Sequence, residues 1–218
     1  MKAKKPAVKI ESPKIPLDLS DNSALAADIH NGECIERGRY QDCLMDNIEL
    51  DRVTFDEVLF TNVNFSNSNF SNLELTDVIF DKCDLSNADF SNASIHRTEF
   101  RNCKMIGLNL SETTLRNVVF HTCMGELANF RFANMKQVNI DECSFSSTDY
   151  CYSTFSNVNF VKSDIDQSQF SGAKHGGIDF STCEFNSLSI NLDDLKGCTI
   201  SRNQAYVFAG LLELVIKD

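Results

Sequence analysis

Across residues 51–100 the chain reads DRVTF-DEVLF-TNVNF-SNSNF-SNLEL-TDVIF-DKCDL-SNADF-SNASI-HRTEF, with a large apolar residue at every fifth place from Phe55 to Phe100. Two places before each sits a small or medium residue, among them Val53, Val58, Cys83, Ala88 and Thr98, and polar residues fill most of the rest. Five is neither the 3.6 of a helix nor the 2 of a simple strand. It is an internal repeat, and a fixed repeat dictates architecture because each unit buries its apolar side only against its neighbours. The register runs from Ile35 to Ile200 without an insertion or deletion. Of its 34 central positions only Gly125 and His175 are not apolar, with Tyr40 and Tyr150 counted as apolar, whereas 42% hydrophobic composition would fill about 14 by chance.

A residue repeating every five points inward throughout if the backbone turns about 90° per repeat, so four repeats close a square coil. Stacked coils then pair their backbones as parallel strands about 4.8 Å apart. The central residue and the one two places before it face the interior, and the other three meet solvent. The span 33–200 makes about eight coils and a rod of roughly 40 Å. Four faces follow. The first carries Tyr40, Phe60, Phe80, Phe100 and onward to Ile200, and the second Met45, Phe65, Leu85 and onward to Phe185. The third carries Leu50, Phe70, Phe90 and onward to Ile190, and the fourth Ile35, Phe55, Leu75 and onward to Leu195.

Seven of the nine cysteines take the small inward position, and six of these (Cys43, Cys83, Cys103, Cys123, Cys143, Cys183) share the second face, with Cys198 elsewhere. A straight ladder of sulfurs cannot surround a zinc ion tetrahedrally, and parallel side chains on neighbouring rungs do not face each other for disulfide formation. Free, buried thiols are expected. Gly125 leaves a core place empty, which Met124 or Leu127 would fill by turning inward. Ala173–Gly177 (AKHGG) predicts a corner of altered backbone, since glycine permits positive φ, with His175 in a structural role.

The register divides the chain into an N-terminal extension and cap (1–32), the repeat body (33–200) and a C-terminal segment (201–218). All three prolines lie in the extension, and Pro13-Lys14-Ile15-Pro16 with Leu17 and Leu19 predicts extended chain against the first coil. Asn22–His30 predicts a short helical turn. In the last segment Tyr206, Val207, Leu211, Leu214 and Val215, with Phe208 and Leu212 beside them, fall at helical spacing. That apolar surface either caps the end of the solenoid or meets a second copy, a twofold pair being the commonest arrangement.

The net charge is −11, of which the repeat body carries −12. This argues against direct binding of nucleic acid or an anionic membrane and favours a basic partner. Asp46, Asp84, Glu126, Asp164, Asp166 and Glu184 lie outward near the second face, where Lys104 is the only outward base. No stretch is long and apolar enough for a transmembrane helix, and the first residues lack an apolar core of signal-peptide length, so a cytoplasmic protein is expected. No phosphate loop, metal spacing or Ser-His-Asp grouping is present. Neither enzymatic activity nor a cofactor is expected.

Units such as Ala88-Asp89-Phe90-Ser91-Asn92, Ala128-Asn129-Phe130 and Ser68-Asn69-Phe70-Ser71-Asn72 resemble the pentapeptide-repeat proteins. The resemblance implies an all-β fold, a right-handed quadrilateral parallel β-helix, here with a short C-terminal α-helix. Asp194-Leu195-Lys196-Gly197, Ile200, Gln204-Ala205, Phe208 and Leu212 resemble the C-terminal signature of Qnr-type quinolone-resistance proteins. The Pro-Lys-Ile-Pro segment is similar to chromosomal members from Gram-positive bacteria, and the unbroken register lacks the loops of Gram-negative members. The resemblance implies a homodimer formed through the C-terminal segment. It also implies a DNA-like acidic rod that binds DNA gyrase or topoisomerase IV and counters quinolones, with the six second-face carboxylates as the contact surface. The alternative is a repeat scaffold that binds an unrelated protein.

Overall fold

In the computed structural model the chain is a parallel β-solenoid of about eight coils with one short helix near its C-terminus. The structure describes residues 9–23, 28–212 and 214. The strands are β1 (Ser20–Asp21), β2 (Cys34–Glu36), β3 (Gly38–Gln41), β4 (Glu49–Asp51), β5 (Thr54–Thr61) and β6 (Asn69–Ser71). They continue with β7 (Glu74–Asp81), β8 (Ser94–Arg101), β9 (Thr114–His121), β10 (Asn134–Asp141), β11 (Thr154–Val161) and β12 (Lys174–His175), and α1 spans Ala205–Leu211. Partners sit 20 residues apart, as in Phe80↔Phe100 and Phe100↔Phe120. The five-residue register therefore closes a square every fourth repeat.

The four faces are not alike. Strands β5, β7, β8, β9, β10 and β11 each run through the fourth and first faces in one eight-residue piece and pair in order within a ten-stranded sheet. The second and third faces are held mainly by isolated parallel bridges such as Asp84↔Lys104 and Asn109↔Asn129. The residue before the central one contributes to this difference. On the second and third faces the residue before the central one is often Asn or Asp, and its side-chain oxygen accepts the N–H two places on. Asn64 accepts from Ser66, Asn69 from Ser71, Asp89 from Ser91 and Asn129 from Arg131, at 2.8–2.9 Å. This local bond offers the backbone a turn in place of a strand. At the same place on the other two faces stand Thr54, Leu59, Ile79, Thr114, Val119 and Thr154, β-branched or apolar residues that suit a pleated strand, although Asn134, Asn139 and Asn159 also stand there, paired within β10 and β11 and without the local bond. The last coil supports the rule. Asp179 on the first face accepts the N–H of Ser181 at 2.9 Å, and there the long strand is replaced by a single bridge.

Each corner falls two places after a central residue, and there φ is positive at every repeat from Arg37 to Gly177. Asn occupies nine of these corners, consistent with its tolerance of the left-handed region. Others hold Glu57, Arg97, Thr122, Leu127, Phe132 and Tyr152, where the conformation costs on the order of 1 kcal/mol or more each. Only the cooperative stacking of coils keeps such residues in place.

The core is aromatic. Tyr40, Phe60, Phe80, Phe100 and Phe120 form one column with ring centroids 4.9–5.2 Å apart, set by the rung spacing. Small inward Ser, Thr and Cys residues reach 23 residues back to a core carbonyl. Ser68 donates to Met45, Ser153 to Phe130 and Cys103 to Phe80, at 2.6, 2.6 and 3.5 Å. Cys103 and Cys123 thus have the same task as the serines. All nine cysteines are free thiols. The neighbouring Cys123 thiol, with burial, pushes Cys103 and Cys143 upward, and burial raises Cys183 to about 11.

Three expectations are corrected. Neither Met124 nor Leu127 turns inward at Gly125, and both are exposed. The space belongs to Phe145 of the next coil, whose ring lies 2.0 Å from where a Cβ on Gly125 would sit, so the missing side chain makes room for a large one. The proline-bearing segment is extended but lies beyond the first coil, along the edge between the fourth and first faces. The Lys14 N–H donates to Asp77 at 2.9 Å, the Glu11 N–H to Asn117 at 3.2 Å, and the Gln137 amide to the Lys9 carbonyl at 3.0 Å. Ser20–Asp21 is what pairs with the first coil. Finally, Ile200 is partly exposed where the last coil opens. At Ala173–Gly177 the strand stops at His175. Gly177 keeps the positive φ of the other corners, at +88°, a Cβ there would come within 2.3 Å of the Gly197 carbonyl oxygen, and its N–H donates to His175 Nδ1 at 3.3 Å. Of the helical turn read over Asn22–His30, residues 24–27 lie outside the described residues.

Candidate functional site

The six carboxylates read from the sequence all lie on the second face, on two neighbouring outward ladders. Asp84, Asp164 and Glu184 precede the central residue, and Asp46, Glu126 and Asp166 follow it. Asp164 and Glu184 are bridge partners on successive rungs, with Asp166 beside them. Asp46 and Asp84 stand apart, and Lys104 neutralises Asp84 across 3.3 Å. The structure therefore joins three of the six into one acidic patch near the C-terminal end and leaves the others spaced along the face.

Several of these acids also shape the backbone. Asp84 accepts the Ser86 N–H and Asp164 the Asp166 N–H, each at 2.9 Å. Asp166 accepts the N–H groups of Asn186 and Ser187 at 2.7 and 2.9 Å. Burial pulls Asp166 upward, but the donors from Asn186, Ser187 and Gln167 together outweigh it and hold the carboxyl below its ordinary range. At Asp84, burial is likewise outweighed by the Ser86 hydrogen bonds and by Lys104. Glu126 accepts the Ser144 hydroxyl at 2.9 Å and Asp46 the Asn47 amide at 2.6 Å.

The acid excess is steeper along the rod than the face assignment alone conveys. Residues 33–112 hold fifteen acids against seven bases, spread over all four faces. A second feature escaped the sequence reading. Phe132 and Tyr152, at corners on successive coils, stack in solvent with centroids 5.3 Å apart. The available signal was two aromatic residues 20 places apart at outward positions.

At the C-terminal end the predicted stripe divides. The Gln204 amide donates to the carbonyls of Phe180 and Cys183, both at 2.8 Å, closing backbone groups that no further coil would meet. Phe208 is buried edge-on against Phe185, with centroids 5.9 Å apart, and so belongs to the cap of its own chain. Tyr206, Leu212 and Leu214 remain exposed, and Val207 is half-buried. The side chain of Leu211, and all of Val215, lie outside the described residues. Among the described residues no group of three or more His, Cys, Asp or Glu is placed to hold a metal ion, and no helix is long and apolar enough to cross a membrane.

The model for a pentapeptide repeat region matches residues 73–144, and the model for eight copies of the pentapeptide repeat matches 48–87 and 128–167. Among solved structures the chain is similar to full-length QnrB1, described as a plasmid-mediated fluoroquinolone resistance protein, at 21% identity over 85% of this chain and 97% of that one, with a TM-score of 0.43. It is also similar to HetL, a pentapeptide-repeat protein involved in heterocyst differentiation regulation in the cyanobacterium Nostoc, at 14% identity over 81% and 96%, with a TM-score of 0.30. No curated sequence matches the chain.

Proposed function

The chain belongs to the pentapeptide-repeat family, and from that premise we propose that it is a DNA mimic that binds a type II topoisomerase, DNA gyrase or topoisomerase IV, and protects it from quinolones. The observation that carries this reading is the placement of all six predicted carboxylates on one face of a rigid rod, three of them in one patch, with net charge −12 over the repeat body. Hydrogen-bond donors from the backbone hold several of them in fixed positions. A basic groove shaped for duplex DNA would meet here a rod of fixed width carrying negative charge at each end of one face. The charge density is about half that of B-DNA, which carries one charge per about 1.7 Å. Recognition on this reading therefore rests on shape together with local acidic patches.

The exposed Tyr206, Leu212 and Leu214 support a homodimer through the C-terminal segment, doubling the rod. Leu212→Asp is expected to shift the protein to monomer on a sizing column, whereas Phe208→Asp would open the cap and lower the melting temperature.

The decisive experiment is a gyrase supercoiling assay with ciprofloxacin and increasing amounts of the purified chain. Supercoiling is expected to recover in a dose-dependent way. Absence of rescue at every concentration, together with no measurable binding to gyrase or topoisomerase IV, overturns the reading in favour of a scaffold for another protein.

A further inference from the structure

The corners of the solenoid are where its side chains project furthest, and most are polar. Three are not. Leu127, Phe132 and Tyr152 have φ of 62°, 60° and 60° and are 64%, 52% and 53% exposed. Large apolar residues are disfavoured in the left-handed region, and these contribute nothing to the interior. Fold stability explains neither their conformation nor their exposure, and strained residues of this kind mark places where a surface is used.

The aromatic pair is also built rather than incidental. Its rings are nearly parallel, at 12°. The Arg131 guanidinium sits 5.1 Å from one ring centroid and 5.0 Å from the other, and its Nη1 lies 3.4 Å from Asp149. On the far side of Tyr152 comes Gly172, at φ +72°, where any Cβ would come within 2.7 Å of the ring. The stack is thus clamped from one side and given room on the other, so its shape precedes any encounter.

Carboxylates lie near it, beside the Arg131 guanidinium that already sits on the rings. Glu112 occupies the same corner one coil before Phe132, its N–H donating to the Arg131 carbonyl at 2.9 Å. Glu126 adjoins Leu127 in sequence, and Asp149 lies beside the stack. We propose that Leu127, Phe132 and Tyr152, rimmed by Glu112, Glu126 and Asp149, form a docking surface for a basic protein surface that presents an apolar side chain among its arginines or lysines. The apolar group, or the aliphatic stem of a lysine or arginine, lies on the rings while the cation meets the rim. The acidic rim disfavours the other use of an exposed aromatic pair, stacking on nucleic-acid bases.

This inference rests on the topoisomerase reading and names a contact within it. The test is binding of the full chain to purified DNA gyrase by surface plasmon resonance, using Phe132→Asn/Tyr152→Asn. Asn is the residue the corners hold most often, and the change leaves the charge untouched. The wild type is expected to bind and the double variant to bind at least 10-fold more weakly, with an unchanged or higher melting temperature. Leu127→Asn, at the preceding corner of the same coil and outside the stack, provides a second variant should the first fail to fold, with an expected loss of about 3-fold. Wild-type affinity in a folded variant overturns the docking surface and leaves the topoisomerase reading standing. The wild type is tested on gyrase and on topoisomerase IV and the variants on whichever it binds; no binding by the wild type to either removes that reading and this inference with it. Capture of a labelled oligothymidine by the wild type, lost in the double variant, overturns it by assigning the rings to base stacking.

Discussion

The first and fourth faces differ from the second and third in how they spend the same five-residue spacing. On the former pair, strands such as β8 and β9 carry continuous hydrogen bonding through two faces, and the core column stacks one ring per rung. On the latter pair an Asn or Asp bonds its own backbone two residues on, the chain turns tightly, and the rungs meet at single bridges. The looser faces carry irregularity along their length, whereas the strand faces break towards the C-terminal end, where β12 holds two residues and Asp179↔Thr199 is a single bridge. A ring from one coil leans across the place left by Gly125, and Lys104, Met124 and Ser144 keep the turn without an Asx bond. Function on the present reading also collects there, with the carboxylates on the second face and the aromatic corner at the edge of the third. Regular pairing makes a rod, and the less regular half carries the variation a partner can read.

The largest effect is expected at the lean itself. Gly125→Leu places side-chain atoms inside the Phe145 ring, and thermal melts should show a loss of about 3 kcal/mol or more. Adding Phe145→Gly, which exchanges the two sizes, should recover much of it. Failure of that rescue would mean that the glycine serves the backbone and not the ring. Next comes the edge joining the two strand faces, where Arg97 binds buried Asp77 through two hydrogen bonds of 2.6 and 2.7 Å. Burial raises the Asp77 carboxyl, but Arg97 and the Lys14 N–H together bring it below its ordinary range. A depressed folded value gives stability that is fully present above the unfolded pKa near 3.9 and lost as pH falls through the folded one. Asp77→Asn should therefore cost about 2 kcal/mol at pH 7, with the two denaturation curves converging below about pH 4. The smallest effect tests the turn rule. Asn129→Val removes one Asx bond and should cost about 1 kcal/mol. If it is silent in chemical denaturation, stacking alone holds the turn.

The inward positions were legible because a period of five leaves only one consistent interior, and Phe55 through Phe180 occupy it. The split between faces was only partly written in the chain, since Asn64, Asn69 and Asn129 bond their own backbone while Asn139 and Asn159 lie in strands. Its meaning depends on a hydrogen bond between a side chain and a backbone N–H two residues away, which hydrophobic spacing does not encode. Phe145 over Gly125 escaped notice because the compensating atoms come from 20 residues on, not from the neighbours Met124 and Leu127. The path of Lys9–Pro16 was illegible for a plainer reason, as its partners lie 63–128 residues away and follow no repeat. The six carboxylates were correctly placed on one face, but their bonds to backbone N–H groups, and the grouping of only three, required the coils to be stacked.

That N-terminal strap has a mechanical consequence. Lys9 to Lys14 spans three rungs, roughly 14 Å at the strand spacing, with five residues that reach at most about 17 Å fully extended. There is almost no slack. Pro13 and Pro16 hold the chain near its extended form, so the segment acts as a tie rod fixed along one edge. Parting the rungs on that side means stretching a taut chain or breaking its anchors at Asp77, Asn117 and Gln137, whereas the diagonally opposite edge is held by isolated bridges. The rod's bending stiffness is therefore directional, and when it flexes the tied edge stays on the inside of the curve.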